Sequence, residues 1–533
     1  MRDSGGRIAG LALVLVAGLA MAVRAENRLS HLSRLTVARF QFAGNTVFSN
    51  TELAQVVASY TGREISSEEL ETARRKLTEH YVSRGYINSG AVLPAQEIRE
   101  GVVTVRIVEG QLTNIKVTGN RWLRADPLRD RIAHRAGAPL NVGTLRDGLQ
   151  LLRQDPNVEQ INADLQPGAL PGESELAVRV HDRQPFWAAL QVDNHRPTSV
   201  GAEQLVLLAG DRNLTGHRDA LEVNYGVAHV GHGRIEFGQP GDFSGSYTVP
   251  LTVHETTLRV YGSRNDYAVI EEPFDALDIT GNSYRIGVSL RQPLYRTPNR
   301  ELSLAVAFER RESQTYLLGV PFSLETGAMD GNVRISALRF VQEWVDRSPN
   351  QVLALRSTFS VGVDAFGVTD NGTGYDARFW SWLGQMQYVH RLGQTPHQVI
   401  LRTDVQWTDQ PLLSLEQFTL GGANTVRGYR ENQIVRDRGV CSGIELRLPV
   451  LFTKTGAPIV QLAPFFDFGA GWNVAGGTPS PKTISSAGIG VLFNPVKYVQ
   501  AQLYWGYAFQ HLTPAEHHLQ DDGIHFSVRV TAF

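Results

Sequence analysis

The run Phe418-Thr419-Leu420-Gly421-Gly422-Ala423-Asn424-Thr425-Val426-Arg427-Gly428-Tyr429 sits between two strand-like stretches and carries one arginine in a glycine-flanked loop. Farther along, Phe465-Phe466-Asp467-Phe468-Gly469 centres one aspartate in an aromatic strand. Arg427 and Asp467 form a candidate pair across a polar barrel interior. A charge-assisted hydrogen bond in a partly dehydrated lumen is worth roughly 1.5–3 kcal/mol. Gly421, Gly422 and Gly428 let the loop backbone turn tightly. Spacing alone leaves a second reading open, an exposed loop cation and a lumen-facing acid with no partner.

The surrounding sequence defines the barrel. After Pro185 the helical period gives way to alternation. Leu221, Val223, Tyr225 and Val227 alternate with Glu222, Asn224 and Gly226. Tyr284, Ile286, Val288 and Leu290 alternate with Arg285, Gly287 and Ser289, and Val499, Leu503, Trp505, Tyr507 and Phe509 with Gln500, Gln502 and Gly506. A soluble sandwich would turn the polar parity to water; an outer-membrane barrel turns the apolar parity to lipid and the polar parity to the lumen. Many segments run to about ten residues, the length of a tilted bilayer span. Trp380, Trp382, Trp407 and Trp505 lie near segment ends, as interfacial girdles do. The expectation is a membrane β-barrel of about sixteen antiparallel strands over 184–533, wide enough to leave a channel. Residues 228–250 read as one strand or two. The terminal Phe533 lies on the opposite parity from Phe526, Val528 and Val530.

Before the barrel the chain reads as two small α+β domains. Residues 36–109 run strand, helix, helix, strand, strand. Ser49-x-x-Glu52 and Ser66-x-x-Glu69 are capping boxes. The second opens a helix with Leu70, Ala73, Leu77 and Tyr81 on one face, and Gly85 ends it. Residues 110–183 repeat the order, with Leu145, Leu149 and Leu152 marking a helix that Asp155-Pro156 stops. The openings Phe40-Gln41-Phe42-Ala43-Gly44-Asn45-Thr46-Val47 and Ile115-Lys116-Val117-Thr118-Gly119-Asn120-Arg121-Trp122 match, which implies an internal duplication.

The first 25 residues read as a secretory leader: Arg2 and Arg7, then an apolar core from Ile8 to Ala20, with the cut placed after Ala25. Its apolar run is shorter than the ~20 residues a spanning helix needs. Residues 26–35 form a short segment; as a helix it would span about 15 Å. At 533 residues and net charge −2, the chain is long enough for several domains and has no electrostatic case for nucleic acid. One cysteine, Cys441, excludes an internal disulfide. No metal, cofactor or nucleotide motif is present; His517-His518 beside Asp521-Asp522 reads as a solvated loop.

Leu93-Pro94-Ala95-Gln96-Glu97-Ile98, with Gly101-Val102-Val103 and Val108-Glu109-Gly110, resembles the first polypeptide-transport-associated (POTRA) domain of two-partner secretion transporters. Leu165-Gln166-Pro167-Gly168 with Pro171-Gly172 looks like the end of the second. The mature chain as a whole resembles that family, of the haemolysin-activator type. The resemblance implies an outer-membrane pore, with POTRA domains in the periplasm, that translocates an unfolded exoprotein carrying an N-terminal secretion domain. It implies that Val426, Arg427, Gly428 and Tyr429 form the tip of the sixth extracellular loop, around 409–437, folded back into the lumen. It also implies that Arg427 contacts Asp467 of the motif Phe465-x-Asp467-x-Gly469. The barrel is expected to be a monomer in outer-membrane lipid, without cofactor or catalysis. Relatives often carry a plugging helix ahead of the first POTRA domain; residues 26–35 are too short for one, which leaves the Arg427 loop as the expected obstruction. The alternative is an assembly factor for other outer-membrane proteins, which shares the Arg427 and Asp467 motifs and is disfavoured by two POTRA domains rather than five. A passive porin would not need residues 36–182, and a barrel enzyme would need a catalytic constellation that is not found.

Overall fold

A computed structural model describes residues 34–228, 241–271, 274–324, 327–372, 374–512 and 517–532. The expected leader, residues 26–33 and Phe533 lie outside the described residues. The chain divides into two compact units, Met1–Arg183 and Gln184–Phe533.

The first unit holds two copies of one topology. Strands Arg39–Ala43, Gly90–Val92 and Val102–Val108 form a sheet in which the last strand lies between the others, parallel to the first and antiparallel to the second. Gln111–Thr118, Val158–Pro167 and Glu173–Asp182 repeat that arrangement. Each sheet packs on two helices, Asn50–Val56 and Ser67–Ser83 in the first copy, Ala125–Ala136 and Val142–Arg153 in the second. Ser66 and Glu69 form the full capping box, whereas Ser49 caps one way only, because the Glu52 carboxylate is drawn off to His80 at 3.0 Å. Leu70, Ala73, Leu77 and Tyr81 are buried as the helical spacing predicts. A strand the sequence reading missed, Arg63–Ser66, pairs with Arg34–Val37.

The duplication extends to how each copy is closed. Glu109, just past its last strand, accepts hydrogen bonds from Thr46 N, Val47 N and the Tyr81 hydroxyl at 2.7–2.9 Å. Asp182, at the end of the matching strand, accepts from the backbone of Arg121, Trp122 and Leu123. In both copies a carboxylate holds the turn after the Gly-Asn pair, so matched openings needed matched acids. Gln96 explains a second motif: its amide bonds both N–H and C=O of Thr104, at 2.7 and 2.8 Å, standing in for a strand neighbour.

The second unit is a closed antiparallel barrel. Sixteen strands span it, from Phe186–Asp193 to Ile524–Thr531, which pair with each other to close the ring; the two-residue Val320–Pro321 is a side extension. The doubtful region contains one strand among the described residues, Gly241–Pro250. The parity argument holds in three dimensions: Tyr284, Ile286, Val288, Leu290, Leu503, Trp505 and Tyr507 are exposed on the outer wall, while Ser303, Glu309, Ser313 and Thr315 are buried inside. No helix among the described residues is long and apolar enough to cross a membrane. The strands do the crossing.

Candidate functional site

Between the eleventh strand, Gln398–Trp407, and the twelfth, Arg438–Phe452, the chain leaves the wall and returns as a hairpin, Phe418–Leu420 paired with Ile434–Arg436. Gly421 and Gly422 turn it, both at φ +103°. A Cβ on Gly421 would lie 2.4 Å from the backbone carbonyl oxygen of Arg430, and the positive φ at both positions strains any residue with a side chain. Beyond this turn stand Val426, Arg427, Gly428 and Tyr429, all buried.

Arg427 meets Asp467 through a two-pronged contact, Nε to Oδ2 at 2.8 Å and Nη2 to Oδ1 at 3.0 Å; the Arg427 backbone N–H adds a third bond at 3.1 Å. Its remaining Nη1 donates to Glu445 at 2.5 Å. The guanidinium lies 3.7 Å from the centre of the Phe465 ring and 4.7 Å from that of Tyr504. The cation is therefore enclosed by two carboxylates and two ring faces, each of which favours positive charge. Burial alone would lower the Arg427 pKa, but the Asp467 and Glu445 carboxylates outweigh it and the group is held firmly protonated.

Each motif residue has a local reason. Phe465, Asp467 and Gly469 share the inward parity of the strand Pro458–Trp472, while Phe466 and Phe468 face outward. Gly469 makes room for Leu420 and Val426, whose methyl carbons would lie 2.9 Å from a Cβ there. Gly428, at φ +92°, packs on the backbone of Gly506, where a Cβ would lie 2.8 Å from the carbonyl oxygen. The Tyr429 hydroxyl donates to Gln510 Oε1 at 2.7 Å and accepts from Gln510 N at 3.0 Å.

Sequence reasoning missed several members. Glu445 and Tyr504 complete the Arg427 enclosure, and Gly443 opposes Asp467 in register, leaving space for its carboxylate. Their signal was present only as inward parity, on the strand paired with that of Asp467 for Gly443 and Glu445 and two strands away for Tyr504. Arg430, next to the motif, bonds Asp521 at 2.6 Å and Glu271 at 2.5 Å, tying the tip to two other inter-strand loops. Asp521 is thus an ion-pair partner in the His517-His518 segment. Among the described residues no group of three or more His, Cys, Asp or Glu side chains could hold a metal. Cys441 lies buried beneath the loop, in one cluster with Leu420 and Val426.

A second anchor was not foreseen. Glu416, at the base of the loop, bonds Arg339 at 2.6 and 3.1 Å on the eighth strand, Asn332–Arg347. Arg339 also reaches Glu309, which accepts from Arg311 and Tyr261. Leu412 and Leu413 pack nearby on Val333 and Ile335. The loop is thus held on two separate parts of the wall.

A closed barrel of sixteen strands, a duplicated α+β unit before it and an inward loop bearing Arg427 define a POTRA-barrel protein of the outer membrane. Residues 172–493 match the family described as haemolysin secretion/activation protein ShlB/FhaC/HecB, and residues 35–110 match the ShlB-type POTRA domain. The chain belongs to this family and is a two-partner secretion transporter, an outer-membrane pore that carries an exoprotein to the cell surface. It is 25% identical over 443 residues to the heme/hemopexin transporter protein HuxB of Haemophilus influenzae, covering 79% of this chain and 73% of that one. It is 24% identical over 450 residues to the outer membrane transporter CdiB-2 of Burkholderia pseudomallei, covering 81% and 72%. The solved structure of CdiB from Escherichia coli shares the fold with a TM-score of 0.71 at 20% identity, over 100% of this chain and 99% of that chain.

Proposed function

We propose that the Arg427–Asp467 contact is the working latch of this transporter: it seats the sixth loop in the lumen at rest, and export proceeds by displacing or reshaping that loop. The observation that carries this is the enclosed guanidinium at the tip of a loop whose two ends both emerge at one rim of the barrel. An ion pair sealed by two aromatic faces is stable while dry and weakens when an entering chain admits water, since water screens the attraction. The motif residues Val426, Arg427, Gly428 and Tyr429 on the loop, and Phe465, Asp467 and Gly469 on the wall, act as one unit in this reading.

The partner is a large secreted protein with an N-terminal secretion domain, received unfolded by residues 36–183. Among the described residues Val158–Pro167 is paired on one side only, with Glu173–Asp182, and most of its residues are exposed. A free ten-residue edge suits strand addition by an extended peptide. The barrel works as a monomer, and the chain is a conduit rather than an enzyme, so folding of the exported protein outside supplies the drive.

The test is a proteome comparison between wild-type and deletion cells, covering medium and outer membrane. Loss of one large secreted or surface protein, with other barrels unchanged, is expected. A broad loss of outer-membrane barrels would instead make the chain an assembly factor and overturn the secretion reading.

A further inference from the structure

The outer wall carries an unused feature. On most of the barrel the upper edge of the lipid-facing band is apolar or aromatic, as at Phe466, Phe468, Trp505 and Tyr507. On the fifth to eighth strands it is cationic. Register places Phe243, Arg264, Tyr284, Glu312 and Arg334 in one row across five neighbouring strands. The next row down is Gly245, Gly262, Ile286, Arg310 and Ser336. Both rows lie on the parity of Tyr284 and Ile286, which are 43% and 61% exposed, and therefore on the outside. Phe366, 72% exposed on the adjacent loop, leans against Phe308 of the same wall. Exposed aromatics at this level mark a membrane interface.

These rows enclose a cleft of about 450 Å³ lined by Phe243, Gly245, Gly262, Arg264, Ile286 and Arg310. Its floor is bare. A Cβ on Gly245 would touch only the backbone oxygen of Glu222, at 3.6 Å, and one on Gly262 only that of Arg285, at 3.3 Å. Arg264 leans over the Tyr284 ring at 5.3 Å and lines the same cleft as Arg310. Asp266 engages Arg264 at 2.9 Å and Glu312 engages Arg334 at 3.0 Å. Among the described residues, Arg310 has only a 3.5 Å contact to Glu312, and its buried Nη1 has no hydrogen-bond partner. With three arginines against two acids the patch keeps one positive charge, at a depth where a bare cation is costly.

We propose that this cleft binds a phosphorylated lipid of the outer leaflet: Arg310 and Arg264 take the headgroup phosphate, and an acyl chain lies in the recess over Gly245 and Gly262 against Phe243 and Ile286. A guanidinium and a phosphate match in shape and charge, and the partly dehydrated interface strengthens the contact. The bare floor supplies the space that an acyl chain needs and that a free phosphate does not.

The probe is bis-phosphorylated lipid A, added to the full-length protein in mild detergent and followed by native mass spectrometry. The wild type retains the lipid as an adduct. Arg264→Gln with Arg310→Gln reduces retention about tenfold, and dephosphorylating the lipid does the same. Gly245→Leu, which fills the recess without changing charge, also lowers retention. Arg300→Gln, on the periplasmic side of the barrel, leaves it unchanged. Heat-modifiable migration verifies that each variant is a folded barrel, and if the double arginine variant misfolds, Gly245→Leu carries the test. Wild-type retention in the folded variants, or equal retention of dephosphorylated lipid, overturns the site. Displacement of the adduct by inorganic phosphate together with unchanged retention in Gly245→Leu overturns lipid as its ligand.

Discussion

Replacing Asp467 with asparagine keeps the side-chain shape and removes the charge opposite Arg427. Three N–H groups of Arg427 converge on that carboxylate, at 2.8, 3.0 and 3.1 Å. Asp467 is fully buried and Arg427 is 5% exposed, so water cannot replace the lost partner. Removing one member of a buried pair costs about 3–5 kcal/mol. Glu445 still holds Nη1, which places the expected loss at the low end, about 3 kcal/mol, or about 150-fold in the seated-to-released ratio of the loop. The chain contains its own reporter. Cys441 is its one cysteine and is buried under Leu420 and Val426, so a maleimide reaches it when the loop lifts. Asp467→Asn is expected to speed Cys441 labelling by about that factor. Secretion falls while the amount of heat-modifiable barrel in the membrane holds. Wild-type labelling and wild-type secretion in this variant would refute the latch. Faster labelling with normal secretion would separate loop seating from transport and refute only the functional step.

The other predictions concern the loop and its neighbours. Gly428→Ala forces a positive φ on alanine and drives its Cβ into Gly506, so it should destabilise loop seating by about 1–3 kcal/mol, read again as faster Cys441 labelling. Burial, with a smaller push from the Asp193 charge, raises the Glu431 carboxyl to about 7 against the downward pull of the Ala423 N–H. A raised carboxyl pKa favours the seated loop at low pH and loses that contribution as pH climbs from the ordinary carboxylate range through about 7; labelling should therefore quicken from pH 5 to pH 8, and Glu431→Gln should flatten the curve. Arg339→Met leaves Glu416 and Glu309 with Arg311 as the cation they share, and in a double-mutant cycle with Glu416→Gln, labelling should report a coupling of about 1–3 kcal/mol. Glu109→Gln removes the charge that four donors converge on, so amide exchange at Thr46 and Val47 should rise with little change in the barrel.

Legibility followed the range of the interaction. The helix Ser67–Ser83 was readable from its cap and its four buried positions, because both depend on neighbours within a turn or two. The strand Arg63–Ser66 was not, since its partner lies in Arg34–Val37 and a four-residue strand has little pattern of its own. Asp467 could be singled out because an acid among phenylalanines breaks an apolar run. Glu445 could not, because an acid on the polar parity of a barrel strand is ordinary until register sets it beside Arg427.

Local patterns along the chain suffice for the alternation that makes a lipid-facing barrel, the duplicated small domain, and the two motifs that form the ion pair. These are consequences of local period, of composition and of which residues tolerate a turn. Folding alone sets Arg427 between two carboxylates and two rings. It also makes a second anchor of Arg339 and Glu416, and sets Arg264 and Arg310 along one cleft with two glycines on the outer wall. Each of these brings together side chains from different strands. Strand register and barrel closure set such distances, and no window of adjacent residues encodes them.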